Sequence, residues 1–157
     1  SRKITNKLNI FFPLLFLILV FLQISIGAFV SGMDAGKIYN SWPLMGNSYF
    51  PDDNDINNLF EVAALSDPSL VQFIHRNLAY LIGVLYILIF YKIYKNKMYD
   101  LYKSINFLGL FIILQIILGI YTVLYGAQIY VASMHQISSI FLVSSSIYFF
   151  YLNTKFN

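Results

Sequence analysis

Two histidines, each inside an apolar stretch, are the residues of this sequence best suited to chemistry. His75 lies in the stretch Val-Gln-Phe-Ile-His-Arg-Asn-Leu, and His135 lies in the stretch Val-Ala-Ser-Met-His-Gln-Ile-Ser. The sequence contains no further histidine and no cysteine. An ionisable side chain at membrane depth is costly and by default marks a functional site. Two such side chains suggest one ligand that both of them bind.

The composition around these histidines is that of an integral membrane protein. Apolar residues make up 59% of the 157 residues and charged residues only 11%, whereas a soluble domain carries about 25% charged residues. The lack of cysteine excludes disulfides, iron–sulfur clusters and thiolate-bound haem within this sequence. The net charge of +3 requires no nucleic-acid partner, because the basic residues flank apolar segments.

Four apolar segments are long enough to cross a bilayer. Together they predict an all-α fold, an integral membrane four-helix bundle that forms a single domain over residues 1–157. The connection 33–68 is long and acidic, and apolar residues at helical spacing within 56–64 predict a short helix lying on the membrane. The predicted spans cover about residues 10–32, 69–91, 104–125 and 129–152.

The basic residues predict the orientation of the four spans. All of the ten basic residues except Lys37 and Arg76 lie near the N-terminus, in the linker 92–103 or near the C-terminus. Since basic flanks stay on the cytoplasmic side, we expect cytoplasmic termini in the cell inner membrane, or matrix termini in a mitochondrial inner membrane. His75 and His135 then lie at matched depth, roughly 9 Å below the opposite surface.

An internal repeat relates the first pair of spans to the second pair. The stretch Leu-Gln-Ile-Ser-Ile-Gly contains Gln23, and the stretch Leu-Gln-Ile-Ile-Leu-Gly contains Gln115. Each precedes a span in which a valine stands four residues before the histidine. The pattern predicts two tandem helical hairpins of the same orientation, related by an axis along the membrane normal. Such an axis places His75 and His135 opposite each other across the bundle core.

Two neutral imidazoles on opposite sides of one core are typical axial ligands of a six-coordinate haem iron. We therefore predict His75 and His135 as metal ligands of a haem b. Arg76 is a candidate cofactor-binding residue that could pair with a propionate, although an interfacial anchor is the alternative. Small residues follow each histidine and leave room for a flat ring: Ala79, Gly83, Ser138 and Ser139.

Other interpretations of the two histidines stay open at this point. A zinc or copper site is less favoured, because zinc usually takes four ligands and no further donor stands nearby. A helical scaffold in which the histidines only form interhelical hydrogen bonds is a second alternative. The spans contain no paired carboxylates and no Ser/His/Asp set, so we predict no catalytic residue in this chain.

Five motifs follow one another through the chain. They are Gly-Ala-Phe-Val-Ser-Gly-Met-Asp-Ala-Gly at 27–36, Tyr-Asn-Ser-Trp-Pro-Leu-Met-Gly at 39–46, Val-Gln-Phe-Ile-His-Arg at 71–76, Leu-Gly-Ile-Tyr-Thr at 118–122 and His-Gln at 135–136. In this order they resemble the haem A synthase family. The resemblance is to the form in alphaproteobacteria and mitochondria, which lacks the cysteine pair that some bacterial members carry in an outer loop.

The resemblance implies a specific role. Members of the family oxidise the C8 methyl of haem O to the formyl of haem A for cytochrome oxidase assembly, and they have eight spans in two similar four-helix halves. This chain resembles the C-terminal half, which is expected to hold haem b between the positions of His75 and His135. The N-terminal half holds the substrate haem and carries a glutamate three residues before its first histidine, where this chain has Gln72.

The implied function is that of an electron-relaying part of an oxidoreductase, which alone should not catalyse the reaction. The expected partners are the missing N-terminal four-helix half with its haem O, an electron donor and membrane lipids. That half belongs to the same chain or to a separate one, and the lack of an initiator methionine favours a truncated sequence. The alternative is a stand-alone b-type cytochrome membrane anchor for electron transfer.

Overall fold

The computed structural model describes residues 7–155, which form a bundle of four long α-helices. All four are long and apolar enough to cross a membrane. The described residues form no named β-strand, so the predicted all-α membrane bundle is confirmed. The helices are α1 (Phe11–Gly32), α2 (Pro68–Lys95), α3 (Tyr99–Leu124) and α4 (Ile129–Lys155).

Helix α2 begins and ends at recognisable local signals. The side chain of Asp67 accepts a hydrogen bond from the backbone N–H of Leu70 at 3.0 Å, and Pro68 takes the first helical position, where its missing N–H is harmless. At the other end, Lys97 has a left-handed φ of 53°, and Met98 N–H donates to Ile93 C=O at 3.0 Å. This hydrogen bond closes the helix in the manner of a Schellman motif.

The linker between α2 and α3 is shorter than hydropathy predicts. The predicted linker 92–103 is reduced to the turn 96–98, because α2 continues to Lys95 and α3 already begins at Tyr99. Lysine and tyrosine tolerate a helix as well as a loop. Hydropathy therefore locates the membrane boundary, whereas the helix continues until a residue adopts a left-handed conformation.

The packing order of the helices places α2 and α4 diagonally across the bundle. Helix α1 packs against α2 and α4, and α3 also packs against α2 and α4. The α1–α2 and α3–α4 contacts within each hairpin are more extensive than those between the hairpins. The two hairpins that the repeat predicted are therefore the tight units of the bundle.

The packed apolar core fills one half of the bundle, nearest the turn 96–98. We call this half the linker end, and the opposite half the loop end. Van der Waals packing rather than hydrophobic burial holds such a core together, because lipid tails are as apolar as leucine. In the other direction, this connected cluster stops at Val20, Ile82, Ile112 and Leu142, although Ile26, Leu70 and Val71 are buried further on. Beyond Ile112, α3 has no buried residue, and α4 has none before Ser138.

The connection between α1 and α2 lies at the loop end, together with the turn between α3 and α4. Asn40 Nδ2 donates to the backbone oxygen of Val123 at 3.1 Å, and a Cβ at Gly36 would stand 3.1 Å from the Cβ of Ala127. The predicted single helix within 56–64 is instead two 3₁₀-helices, Ile56–Phe60 and Val62–Ser66. Glu61 between them has an extended backbone, with φ −88° and ψ 150°, which interrupts the helical hydrogen bonding.

Candidate functional site

His75 and His135 both lie at the loop end, on the two diagonal helices. Each stands about two helical turns from the last core residue of its own helix, Ile82 in α2 and Leu142 in α4. Both side chains are half-buried. The two residues that the sequence singles out therefore stand at one level, just beyond the packed core.

His75 rests in a cradle formed by two residues of α1, Gln23 and Gly27. The side-chain amide of Gln23 donates to the backbone oxygen of His75 at 3.1 Å, and the same nitrogen lies 3.2 Å from Nε2 of the imidazole. A Cβ at Gly27 would stand 3.1 Å from Cε1 of the ring. Glycine at this position therefore allows the imidazole to lie directly against the backbone of α1.

His135 rests in the matching cradle of α3, formed by Gln115 and Gly119. The amide of Gln115 donates to the backbone oxygen of His135 at 3.2 Å, and a Cβ at Gly119 would stand 3.2 Å from Cε1 of the ring. Gln115 also contacts the hydroxyl of Ser138, which itself donates to the His135 oxygen at 3.0 Å. The sequence repeat thus reappears as a repeated contact between a glutamine, a glycine and a histidine.

The imidazole nitrogens are only partly used by the protein. Nδ1 of each ring is buried and has no hydrogen-bond partner among residues 7–155. Those same residues contain no group of three or more His, Cys, Asp or Glu side chains that could hold a metal ion. Two histidines are sufficient only for a metal that brings its remaining donors with it. The donor set therefore fits an iron porphyrin, whose ring supplies four nitrogens.

The small residues that follow the two histidines differ in their surroundings. Gly83 lies past Ile82, at the level of the packed core rather than beside His75, and a Cβ there would meet no atom within 4 Å. Ala79 and Ser139 are half-buried, whereas Ser138 is buried and hydrogen-bonded to the cradle of His135. Ala79 and Ser139 are therefore the small residues that remain partly accessible near the histidines.

Arg76 fastens the loop connection to α2. Its Nη1 donates to the backbone oxygens of Ser41 at 2.9 Å and Leu44 at 3.3 Å, and its Nη2 donates to that of Tyr39 at 2.9 Å. The side chain is only 8% exposed, and its Nε has no partner among the described residues. Pairing of Arg76 with a propionate stays a prediction. A propionate would have to bind Nε or displace one of the three backbone oxygens.

Gln72, one turn earlier in α2, binds the same segment of the loop connection as Arg76. Its amide donates to the Tyr39 oxygen at 3.0 Å, and the side chain is 2% exposed. These contacts give Gln72 a packing and hydrogen-bonding role. Its partner, a backbone oxygen 33 positions away, carries no side-chain signal that the sequence could have revealed.

Asp53 ties the connection to the start of α2. Its carboxylate accepts from Ser69 Oγ at 2.6 Å and from Tyr39 Oη at 3.0 Å. Burial by itself would raise the pKa of Asp53, but these hydrogen bonds outweigh it and lower the pKa below its ordinary value. Burial and the neighbouring carboxylate raise the pKa of Tyr39, so its hydroxyl stays protonated and continues to donate.

Comparison with known proteins identifies the family. The model of the family described as cytochrome oxidase assembly protein matches residues 2–147. The chain belongs to this family. Among its relatives, the haem A synthase of Pelagibacter ubique is 43% identical over 98% of this chain and 45% of its own length. The haem A synthases of Rickettsia felis and Rickettsia prowazekii are 37% and 34% identical, over 93% and 94% of this chain and 43% and 44% of theirs.

These relatives confirm the predicted membership of the haem A synthase family. The chain spans about half the length of the curated relatives that it matches, in agreement with the prediction that it corresponds to one half of a longer protein. No solved structure gives a significant match. As a member of the cytochrome oxidase assembly protein family with four membrane-length helices, the chain is an integral membrane protein.

Proposed function

We propose that this chain is the haem-b-binding half of a haem A synthase, with His75 and His135 as the two axial ligands. The observation that carries the proposal is the duplicated cradle. Gln23 and Gly27 hold one histidine, and Gln115 and Gly119 hold the other, on diagonal helices at one level of the bundle. When bound, haem b supplies a one-electron redox centre at this level.

The residues of the chain bind and orient the ring system from both sides. Each glycine lets an imidazole approach the backbone of the neighbouring helix, and each glutamine fixes the backbone of the helix that carries the histidine. The packed core from Val20 to the linker end excludes water on that side. Electron exchange with a partner is therefore expected at the loop end.

The reaction of the whole protein is part of the same proposal. Relatives about twice as long are named haem A synthase, and we infer that this chain relays electrons for oxidation of the C8 methyl of haem O in a second four-helix half. Gln72 stands where the resemblance places a glutamate in that half. Because an amide cannot take up a proton as a carboxylate does, and because Gln72 is bound to the Tyr39 oxygen, this chain alone is not expected to catalyse the oxidation.

An optical spectrum of the detergent-purified chain, produced with added haem, tests the binding site. We expect a low-spin b-type spectrum in the reduced-minus-oxidised difference, which His75→Ala and His135→Ala each abolish or convert to high spin. Met134→Ala is the matched control, because this exposed neighbour of His135 carries a sulfur that is itself a potential haem ligand. A helical, folded chain that binds no haem, alone or together with a second four-helix half, would contradict the proposal.

The role within haem A synthase needs a separate measurement. We expect haem A to form in cells that lack their own haem A synthase only when this chain and the N-terminal half of a relative are both present. Chromatography of the extracted haems reports the product directly. If the chain binds haem b but never supports haem A formation, the alternative of a stand-alone cytochrome anchor is favoured.

A further inference from the structure

The two cradles differ in one contact. The amide nitrogen of Gln23 reaches Nε2 of the His75 ring at 3.2 Å in addition to the backbone oxygen. The amide of Gln115 contacts Ser138 instead. Among the described residues, the hydrogen bonds found at His135 use its backbone oxygen and not its ring. The residue that distinguishes the two sites is Ser138, whose counterpart in the repeat is Leu78 of α2.

This difference affects the nitrogen that a metal would use. Nδ1 of both rings is buried, so Nε2 is taken as the nitrogen available to a ligand. An amide N–H is only a donor, so Nε2 of His75 must accept and its lone pair is engaged by Gln23. The lone pair on Nε2 of His135 is not engaged in this way. The two histidines are thus chemically unequal before any ligand binds.

We propose that Gln23 and Gln115 are positioning residues that make His135 the first ligand of the haem and His75 the second. The proposal rests on the proposed haem site. Ligation of a haem through Nε2 would require His75 to give up its ring contact with Gln23, whereas Gln23 could keep its bond to the His75 backbone oxygen. Gln115 holds only the backbone of His135 and leaves the ring free throughout.

Nitrogen NMR of the haem-free chain tests the inequality without any haem. The chain contains two histidines, so ¹⁵N-histidine labelling gives two ring systems that His135→Gln assigns. We expect the proton of His75 on Nδ1 and a shift of its Nε2 signal in Gln23→Leu. The matched variant Gln115→Leu should leave the ring signals of His75 unchanged. A proton on Nε2 of His75, or His75 signals that Gln23→Leu does not move, would overturn the proposal.

The kinetics of haem binding test whether His75 ligates after His135. In stopped-flow mixing with haemin, we expect wild type to form a high-spin five-coordinate species first and the low-spin species second. Gln23→Leu should accelerate the second step by a factor of about five, equivalent to the loss of one hydrogen bond. Gln115→Leu should not accelerate it. Equal acceleration in both variants, or none in either, would overturn the proposal and leave the haem site itself intact.

The NMR and the haem-binding experiments together distinguish failure of this inference from failure of the proposed function. If wild type binds no haem but Gln23→Leu shifts only the His75 signals, the inequality stands and the haem site fails. Gln23→Met provides a second variant without a donor, in case Gln23→Leu does not fold. Circular dichroism of each variant verifies the helical content before either measurement.

Discussion

Gly27 lies against the imidazole of His75, so that a Cβ at this glycine would stand 3.1 Å from the ring atom Cε1. The same relationship recurs between Gly119 and His135 at 3.2 Å. Contacts this short require a ring to move by a few tenths of an ångström. The two glycines therefore determine the position and orientation of each imidazole ring.

Gly27→Ala and Gly119→Ala should each weaken haem binding at least about fivefold, since overpacking a fitted contact costs about 1–3 kcal/mol. Haemin titration measures the affinity, and electron paramagnetic resonance of the oxidised form should show changed low-spin g-values because the imidazole orientation changes. Gly83→Ala is the matched control, because its Cβ would meet no atom within 4 Å.

The control variant Gly83→Ala should keep both its haem affinity and its stability. An alanine at an unobstructed helical glycine stabilises a helix by about 0.5–1 kcal/mol, so Gly83→Ala should keep its haem affinity and unfold no more easily than wild type. If Gly83→Ala loses haem to the same extent as Gly27→Ala, the contact between Gly27 and His75 is not what positions the ring.

Arg76→Lys should release the segment 39–45 from α2. A lysine carries one compact ammonium and cannot reach the three backbone oxygens that the guanidinium binds, those of Tyr39, Ser41 and Leu44. Hydrogen–deuterium exchange of this segment should rise about tenfold or more, since a hydrogen bond to a charged group contributes about 1.5–3 kcal/mol. Lys37→Arg, at an exposed cation in the same connection, should leave the exchange unchanged.

The same variant distinguishes the two roles considered for Arg76. If exchange of the segment 39–45 stays at the wild-type rate while haem binding weakens, Arg76 acts through a propionate rather than through the loop. Faster exchange with unchanged haem affinity identifies it as a structural clamp.

Acidification should loosen the connection through Asp53. Its pKa in the folded chain is lowered from the ordinary 3.8, so its stabilising contribution is complete above about pH 4 and is lost as the pH falls through the lowered value. Trp42, the single tryptophan, donates to Tyr80 Oη at 2.9 Å and reports the event by fluorescence. Asp53→Asn at pH 7 should resemble acidified wild type, and a persistent difference between the two at low pH would count against this assignment.

Asn40→Asp should separate the connection from the second hairpin. Asn40 Nδ2 donates to the backbone oxygens of Gly36 and Val123, both at 3.1 Å, and a carboxylate would place an acceptor against two acceptors. We expect a loss of about 1–3 kcal/mol in the free energy of unfolding, measured by titration with sodium dodecyl sulfate. Asn47→Asp, an exposed position in the same connection, should change it little.

The sequence alone predicted the helices and singled out the two histidines of the proposed site. The four spans follow from hydrophobic length, and each begins and ends within a few residues of its predicted limits except where α2 and α3 extend into the linker. The repeated Leu-Gln and Gly stretches also identified Gln23 and Gln115 as equivalent positions. These are local properties, because apolar length and residue spacing are readable wherever a segment stands.

Only the tertiary structure decided the hydrogen-bond partners of these residues. The contact from Gln23 to His75 joins residues 52 positions apart, and that from Gln115 to His135 joins residues 20 apart. Arg76, predicted as a propionate partner, is held by three backbone oxygens of the connection, which carry no side-chain signal. The amide of Gln23 reaches the ring of His75, whereas that of Gln115 contacts Ser138. Such hydrogen bonds are set by which helices pack side by side and at what height, and no single segment contains that information.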